Sequence, residues 1–358
     1  MNILAFESSC DETSVSVVER TDTGFKIKSN IIASQVETHR LYGGVVPEIA
    51  SRAHIEAISS ITYEALRVSK LSLSDIDLVA VTANPGLIGA LLVGVNFAKA
   101  LAVSRNIPLV ACDHIKGHIA ASYLTEDVNA PKPPFIALAA SGGHTAIYFV
   151  ESYTKHRQIG TTRDDAIGES FDKIGRIIGI PYPAGRGFDE LSKEGYALAS
   201  DGAEDAYSKY KSTEAYRAFN LPSPAVKDNS FDFSFSGLKT AAINLLHSYE
   251  QRKEEVPRAL FAARYTFEAV EAVAKKLSLA LDAHPGCELV VSGGVAANSH
   301  LRKRLKQVAD KHGVKLHIPP ISLCGDNAAM IAAQGYYDFL AGKLASSSLN
   351  ASACDSVD

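Results

Sequence analysis

The chain has 358 residues, 46% of them hydrophobic and 21% charged, with a formal net charge of −4. That is enough apolar material for a sizeable core and more length than one average domain, so two lobes are the starting expectation. The balance excludes binding of nucleic acid through bulk positive charge. Five scattered cysteines with no CxxC pair exclude a disulfide framework and a zinc knuckle.

The start, MNILAFESSC, lacks the basic and apolar segments of a signal peptide. The apolar stretch Ile88–Val103 is interrupted by Gly94, Asn96 and Lys99, so no membrane span is expected and a cytoplasmic, reducing location is. In chain order, Ile3–Phe6, Ser14–Glu19 and Phe25–Ala33 read as strands. A long helix follows Pro47, with Ile49, Ala53, Ala57, Ile61 and Ala65 on its inner face. Leu78–Thr82 is a strand, Ile88–Arg105 a buried helix, Leu109–Cys112 a strand, and a short helix carries His114 and His118. The pattern then recurs. Phe135–Ala140, Thr145–Val150 and Gln158–Thr161 are strands; Ala166–Ile178, Leu238–Tyr249 and Arg258–Leu281 are helices. Glu288–Ser292 is a strand, Ser299–His312 a helix, Leu316–Ile318 a strand and Asn327–Leu340 a helix. Three strands followed by alternating helices and strands, twice over, suggest two α/β lobes facing across a cleft. Residues 179–232, rich in Pro, Gly and Tyr, read as an insertion of loops and short helices. Residues 343–358, small and polar past Leu344, read as a disordered tail.

His114-Ile-Lys-Gly-His118 puts two imidazoles on one helix face, where both can reach one metal ion. Asp326 is a candidate third ligand; its plain reading is a helix N-cap. A zinc protease would carry Glu after the first His, and Ile115 stands there instead. Ser141-Gly-Gly-His144-Thr145, between two strands, offers backbone N–H groups to an anion, or is an ordinary hairpin turn. Ser292-Gly-Gly-Val-Ala-Ala-Asn298, between a strand and a helix, suits a phosphate or nucleoside; Asn298 is otherwise a helix cap. Glu7-Ser-Ser-Cys-Asp-Glu-Thr13 is a turn of hydroxyls and carboxylates, able to touch a phosphate, a metal or a nucleophile. Asp172 and Asp189, in an acidic and glycine-rich stretch, can accept hydrogen bonds from sugar hydroxyls or an amine.

Together these motifs resemble the TsaD family, the tRNA adenosine threonylcarbamoyltransferases. The matching stretches are ESSCDETS, THRLYGGVVPEIASRAH (38–54), NPGLIGALLVG (84–94), DHIKGHIAA (113–121), SGGHT, GESFDKIGRIIG, FSFSGLKTA, VSGGVAANSHLR and CGDNAAMIA. They run from about residue 2 to about residue 340, and YGGVVPE resembles the bacterial or organellar branch. The resemblance implies an α/β chain of the actin-like ATPase superfold, built of two duplicated ribonuclease-H-like lobes around a nucleotide-binding cleft. Residues 1–112 plus 325–342 would form the first lobe and 113–324 the second. It implies an iron or zinc ion held by His114, His118 and Asp326. It implies substrate contacts at Ala139, Ala140, Ser141, Gly142, Gly143, Asp172, Gly185, Asp189 and Asn298. The family pattern has Leu-Val where this chain has Ala139-Ala140, and Pro-Gly-Gly where it has Pro183-Ala184-Gly185. The implied donor is threonylcarbamoyl-AMP and the acceptor N6 of adenosine 37 in tRNAs reading codons that begin with A. Ser141 would contribute to stabilising developing charge, and Glu12 would accept the amine proton. The implied partners are tRNA, a TsaB-like paralogue, a TsaE-like ATPase and a TsaC-like synthase that supplies the adenylate, with no membrane. A kinase of the same superfold would share the glycine turns but has no need of the two histidines and the distant Asp. A non-catalytic nucleotide-gated module would not need them either.

Overall fold

The N-terminal run Asn2–Glu7 is buried from Ile3 onward, as expected of a strand covered on both faces. This strand, β1, is the centre of a sheet in a computed structural model that describes residues 1–125, 129–200, 206–224, 226, 228 and 230–354. It pairs antiparallel with β2 (Glu12–Arg20), which pairs antiparallel with β3 (Phe25–Ser34). On its other side lie β4 (Leu78–Asn84) and β5 (Leu109–Asp113), both parallel. The order is β3-β2-β1-β4-β5. Between β3 and β4 come the short α1 (Val36–Arg40) and the long α2 (Pro47–Ser69); α3 (Ile88–Arg105) joins β4 to β5.

After α4 (His114–Ala120) the same plan is repeated. β6 (Phe135–Ala140), β7 (Thr145–Ser152) and β8 (Lys155–Thr161) form an antiparallel meander. Next come α5 (Ile167–Ile177), α6 (Gly185–Ala199), α7 (Ala206–Lys209), α8 (Glu214–Ala218), α9 (Ser236–Arg252) and α10 (Arg258–Ala283). β9 (Glu288–Ser292) then pairs parallel with β6; α11 (Ser299–His312) leads to β10 (Leu316–His317), parallel to β9. The second order, β10-β9-β6-β7-β8, is the first order in equivalent strands. α12 (Ala328–Leu340) closes the chain's regular structure by returning to pack on β1, β2, β4 and β5.

The two sheets share a core. Ile3 and Ala5 of β1, Ile115 and Ile119 of α4, Phe135 and Ala137 of β6, Val290 of β9 and Ala328–Ala333 of α12 form one buried cluster. Small residues let α4 and α12 sit close: a Cβ on Gly117 would lie 2.6 Å from Ile331 Cδ1, and one on Gly335 2.6 Å from Ala80 Cβ. This packing is what brings the histidines of α4 to the start of α12.

Four expectations change. The buried face of α2 is Ala50, His54, Ile58, Ile61, Thr62, Ala65 and Leu66; Ile61 and Ala65 lie on it as expected, while Ile49, Ala53 and Ala57 fall one residue off it. Apolar periodicity misses it because His54 and Thr62 are buried polar side chains. Residues 179–232 are not only loops and short helices, since α6 is a regular helix packed on α10. α3 is less buried than expected: it packs on β4 and α2 but buries only Ala90, Leu91, Gly94, Val95, Ala98 and Ala102, and by length and composition alone it is apolar enough to cross a bilayer. Residues 343–354 lie along the first sheet rather than free of it. Ala345 N donates to Leu109 O at 2.8 Å and Ser352 N to Ala83 O at 2.9 Å. Lys99 Nζ donates to Leu349 O at 2.9 Å. The partly buried side chains of Ala345, Leu349 and Ala351 pack against the first-sheet core. Residues 355–358 lie outside the described residues.

The α6–α10 contact gives a direct check of close packing. A Cβ on Gly195 would overlap the Ala259 carbonyl, whereas one on Gly237 of α9 meets open space. Gly195→Ala is expected to lower stability by about 2–3 kcal/mol through overpacking. Gly237→Ala is expected to leave it unchanged or raise it by about 0.5–1 kcal/mol. Urea denaturation midpoints of the two variants check this.

Candidate active site

α4 starts where it does because Asp113, the last residue of β5, caps it. Asp113 Oδ1 accepts from the N–H groups of Ile115 (2.8 Å) and Lys116 (3.0 Å), and Asn84 Nδ2 donates to Oδ2 at 2.8 Å. His114 and His118 follow on one face with ring centroids 4.6 Å apart. At α12 the N-cap is Asn327, whose Oδ1 accepts from Met330 N at 3.1 Å. Asp326 is therefore relieved of the capping role its position suggested, and its carboxylate faces the imidazoles. Asp326 Oδ1 lies 3.2 Å from His118 Nε2 and 3.7 Å from His114 Nε2. The three ligand atoms fall within 4.8 Å of one another.

The surroundings fit a cation. Among the described residues, both ring nitrogens of the buried His118 lack a hydrogen bond; Nε2 approaches Asp326 without hydrogen-bond alignment. His114 is oriented by Glu7, which the motif reading placed only within a turn able to touch a phosphate, a metal or a nucleophile. Glu7 Oε2 lies 3.0 Å from His114 Nδ1. It also accepts from Thr82 Oγ1 at 2.6 Å, while Glu7 Oε1 accepts from Ser9 N at 2.6 Å. A carboxylate on one ring nitrogen fixes the tautomer and turns the other nitrogen toward a ligand position. The signal for Glu7 in the sequence was an acid ending an otherwise apolar strand.

Charge is concentrated here. Burial disfavours the charged form of His114, yet Glu7 and Asp326 outweigh it and push the imidazole up to about 9. Burial alone would raise Asp326, but His114, His118 and His144 hold it well below the usual carboxylate range. Burial, with Asp326 and Asp11 next, pushes Glu12 up to about 10. Burial also raises Asp172.

The Ser141–His144 turn is a tight hairpin. Ser141 N donates to His144 O at 2.8 Å, and Ser141 Oγ accepts from His144 N at 3.2 Å. The Ser141 amide is thus used within the turn, while Gly142 and Gly143 are exposed. Gly142 O accepts from Glu169 N at 3.1 Å, and a Cβ on Gly168 would overlap Ser141 O, so α5 is tied directly to the turn. Cβ atoms on Gly142, Gly143, Gly185 and Gly294 would all meet open space. Ala139 and Ala140 differ from this. Both methyls are buried, Ala139 in the shared core and Ala140 in the second-lobe core. Gly293, at φ +88°, permits close approach to the Ala140 carbonyl.

Three expected ligand residues have structural work of their own. Asn298 Oδ1 accepts from His300 N (3.0 Å) and Leu301 N (2.9 Å), so it is the N-cap of α11. Asp189 Oδ1 accepts from Ser299 N (3.0 Å) and Ser299 Oγ (2.9 Å), and Asp189 Oδ2 pairs with Lys193 at 2.9 Å. Asp172 Oδ1 accepts from Ala184 N at 2.7 Å, holding the start of α6 beside Gly185. Each of these carboxyl or amide oxygens braces backbone, which limits what it can also give to a ligand.

Comparisons with known proteins agree with this architecture. The family model described as TsaD, tRNA N6-adenosine threonylcarbamoyltransferase, matches residues 26–333. A tRNA N6-adenosine threonylcarbamoyltransferase of Clostridium botulinum is 44% identical over 351 residues, 98% of this chain and 96% of that protein. Proteins of the same description from Moorella thermoacetica and Limosilactobacillus reuteri are each 45% identical over 350 residues. The first pair covers 98% of this chain and 95% of the relative, the second 97% and 94%. Among solved structures, full-length HypF in its phosphate- and nucleotide-bound form is similar with a TM-score of 0.57 at 14% identity, covering 99% of this chain and 47% of HypF. HypF of T. kodakarensis gives 0.53 at 15%, covering 96% and 48%. This chain thus spans about half of HypF, and the likeness concerns the fold: the duplicated two-sheet plan of the actin-like ATPases. With a family match over most of its length and such relatives, the chain belongs to the TsaD family of tRNA N6-adenosine threonylcarbamoyltransferases, transferases that form threonylcarbamoyladenosine in tRNA.

Proposed function

We propose that the chain transfers the threonylcarbamoyl group of threonylcarbamoyl-AMP to N6 of adenosine 37 in tRNAs reading codons that begin with A. The observation that carries this reading is the His114–His118–Asp326 group, its two histidines buried, whose Asp326 carboxyl feels the charge of His144 in the Ser141–His144 turn. The N6 amine attacks the carbamoyl carbon; the bond from that carbon to the phosphate oxygen breaks; AMP leaves with the electron pair; N6 gives up one proton. The exocyclic amine is a weak nucleophile, so the carbonyl must be made electrophilic. One iron or zinc ion held by His114, His118 and Asp326 would supply Lewis-acid charge there. Glu7 keeps His114 in the tautomer that presents Nε2 to that position. The N–H groups of Gly142 and Gly143 can stabilise charge developing on the donor, with Ser141 shaping the turn through its hydroxyl. Asp172, Gly185, Asp189 and Asn298 would border the nucleoside or threonyl part, chiefly through the backbone they brace.

Glu12 remains the proposed proton acceptor, with a condition attached. A carboxyl pushed up to about 10 keeps its proton at neutral pH, so it can serve as a base only when positive charge offsets Asp326. For partners, the outer side of α2 exposes Ile55 and Tyr63, and α3 exposes Val103. That apolar face suits a TsaB-like paralogue, with a TsaE-like ATPase and tRNA joining the assembly and a TsaC-like synthase supplying the adenylate. A cytoplasmic location accords with a tRNA substrate.

The direct test mixes the protein with synthetic threonylcarbamoyl-AMP and unmodified tRNA, with and without the two partners, and reads digested nucleosides by mass spectrometry. Threonylcarbamoyladenosine from the wild type, and none from His114→Ala, is the expected result. Consumption of ATP to phosphorylate a small molecule, with no modified nucleoside even with partners present, would favour a kinase instead.

A second prediction concerns the buried acid behind His114. Glu7→Gln is expected to weaken zinc(II) binding by about 10–100-fold while the chain stays folded. Competition against a chromophoric chelator, with circular dichroism alongside, measures it; unchanged affinity would mean Glu7 does not orient a metal ligand.

A further inference from the structure

The segment Thr38–His54 takes no part in the chemistry above, yet both of its histidines are fully buried. His54, on α2, lies beneath the turn that joins β1 to β2. Its Nδ1 is 2.7 Å from Thr13 Oγ1, and its Nε2 is 3.0 Å from the Cys10 carbonyl. A carbonyl only accepts, so Nε2 carries the hydrogen; in the neutral ring Nδ1 then accepts from the Thr13 hydroxyl. Burial favours that neutral form. One side chain therefore grips both ends of Cys10–Thr13.

The same turn has a second brace built around His39. Val46 N donates to His39 Nδ1 at 3.3 Å, which leaves His39 Nε2 to donate to Gln35 Oε1 at 3.1 Å. Gln35 Nε2 reaches the Ala50 carbonyl at 3.4 Å, and Gln35 N donates to Asp11 O at 3.0 Å. Ser34 Oγ, next to Gln35, donates to Glu12 Oε1 at 3.3 Å. Every residue from Cys10 to Thr13 is thus held by backbone or side chain from the stretch 34–54. The turn's near end is fixed independently, since Leu87 N donates to Ser9 O at 2.8 Å.

We propose that His54 is a positioning residue for the transfer: it sets the Cys10–Thr13 backbone, and with it the Glu12 carboxyl, against the reacting groups without touching them. The proposal rests on the reading that this turn faces the transfer. Full burial of His54 excludes contact with substrate from solvent, and its partners are two groups of the turn itself.

The test compares His54→Gln, His54→Asn and Thr13→Val in the assay that gives product with the wild type, together with thermal midpoints and bound-metal content. Asn can still accept from Thr13 but is too short to reach Cys10; Gln can present an N–H near the Cys10 carbonyl. His54→Asn is expected to lose about a hundredfold in kcat, the scale of a small misplacement of reacting groups. Its KM for the adenylate, its metal content and its thermal midpoint should stay near those of the wild type. His54→Gln should recover most of the loss, and Thr13→Val should lose kcat less than His54→Asn at unchanged KM. Wild-type kcat in His54→Asn would overturn the proposal, as would losses that simply follow the thermal midpoints, or Asn and Gln failing alike. If His54→Asn does not fold, Thr13→Val decides by the same split between kcat and KM. Absence of product from the wild type would instead overturn the transferase assignment of the turn, which separates the two failures.

Discussion

The constraint on which the site depends is a crowding of carboxylates at a buried place. Glu7, Asp11, Glu12 and Asp326 all come to the ends of β1, β2 and α12, the first two buried and the others half-buried, where water screens them poorly. The imidazole of His114 answers part of that charge and is pushed up to about 9 as a result. Glu12 answers another part by holding its proton. A buried group of like charges is costly unless it is paired or coordinates a cation. Two histidine nitrogens and one carboxylate within 4.8 Å of one another form such a coordination group, and its chemistry suits iron or zinc better than a hard, all-oxygen cation.

The duplicated fold is what makes the crowding possible. The second sheet contributes two glycine turns after neighbouring strands, Ser141–Gly143 after β6 and Gly293–Gly294 after β9, and the first contributes the acidic turn between β1 and β2. α4 and α12 are wedged between the two sheets by glycine and alanine contacts, so the loops before them meet. Capping then decides which acid is left over. Asp113 is committed to the start of α4 and Asn327 to the start of α12, and Asp326 is left to face the Nε2 atoms of both histidines. Asp172, Asp189 and Asn298 spend oxygens on the backbone at the starts of α6 and α11.

Much of this could be read from the sequence, for identifiable reasons. Strands such as β1, β6 and β9 are continuous apolar runs bounded by polar turns, and the spacing of His114 and His118 is a local property of a helix. The duplication appears as a repeated order of elements and is matched strand for strand in the two sheets. What escaped the reading depends on tertiary contact. Glu7 looks like the first residue of a polar turn until β4 brings Thr82 beside it. His54 looks like a polar interruption of an amphipathic helix until the β1–β2 turn is laid over it. Asn298 could be read as a ligand or as a cap; the cap is visible only once its contacts are known. The residues after Leu344 look like a free tail by composition, because nothing in their polarity records the groove along β5 and α3 that receives them.

The measurement that tests the central claim most directly is anomalous diffraction from crystals of the protein grown with iron or zinc, recorded on either side of the metal's absorption edge. The account predicts a single strong peak between His114, His118 and Asp326 in the wild type and its loss in His118→Ala. A wild-type map with no peak at that position, or a peak that survives His118→Ala, would contradict it.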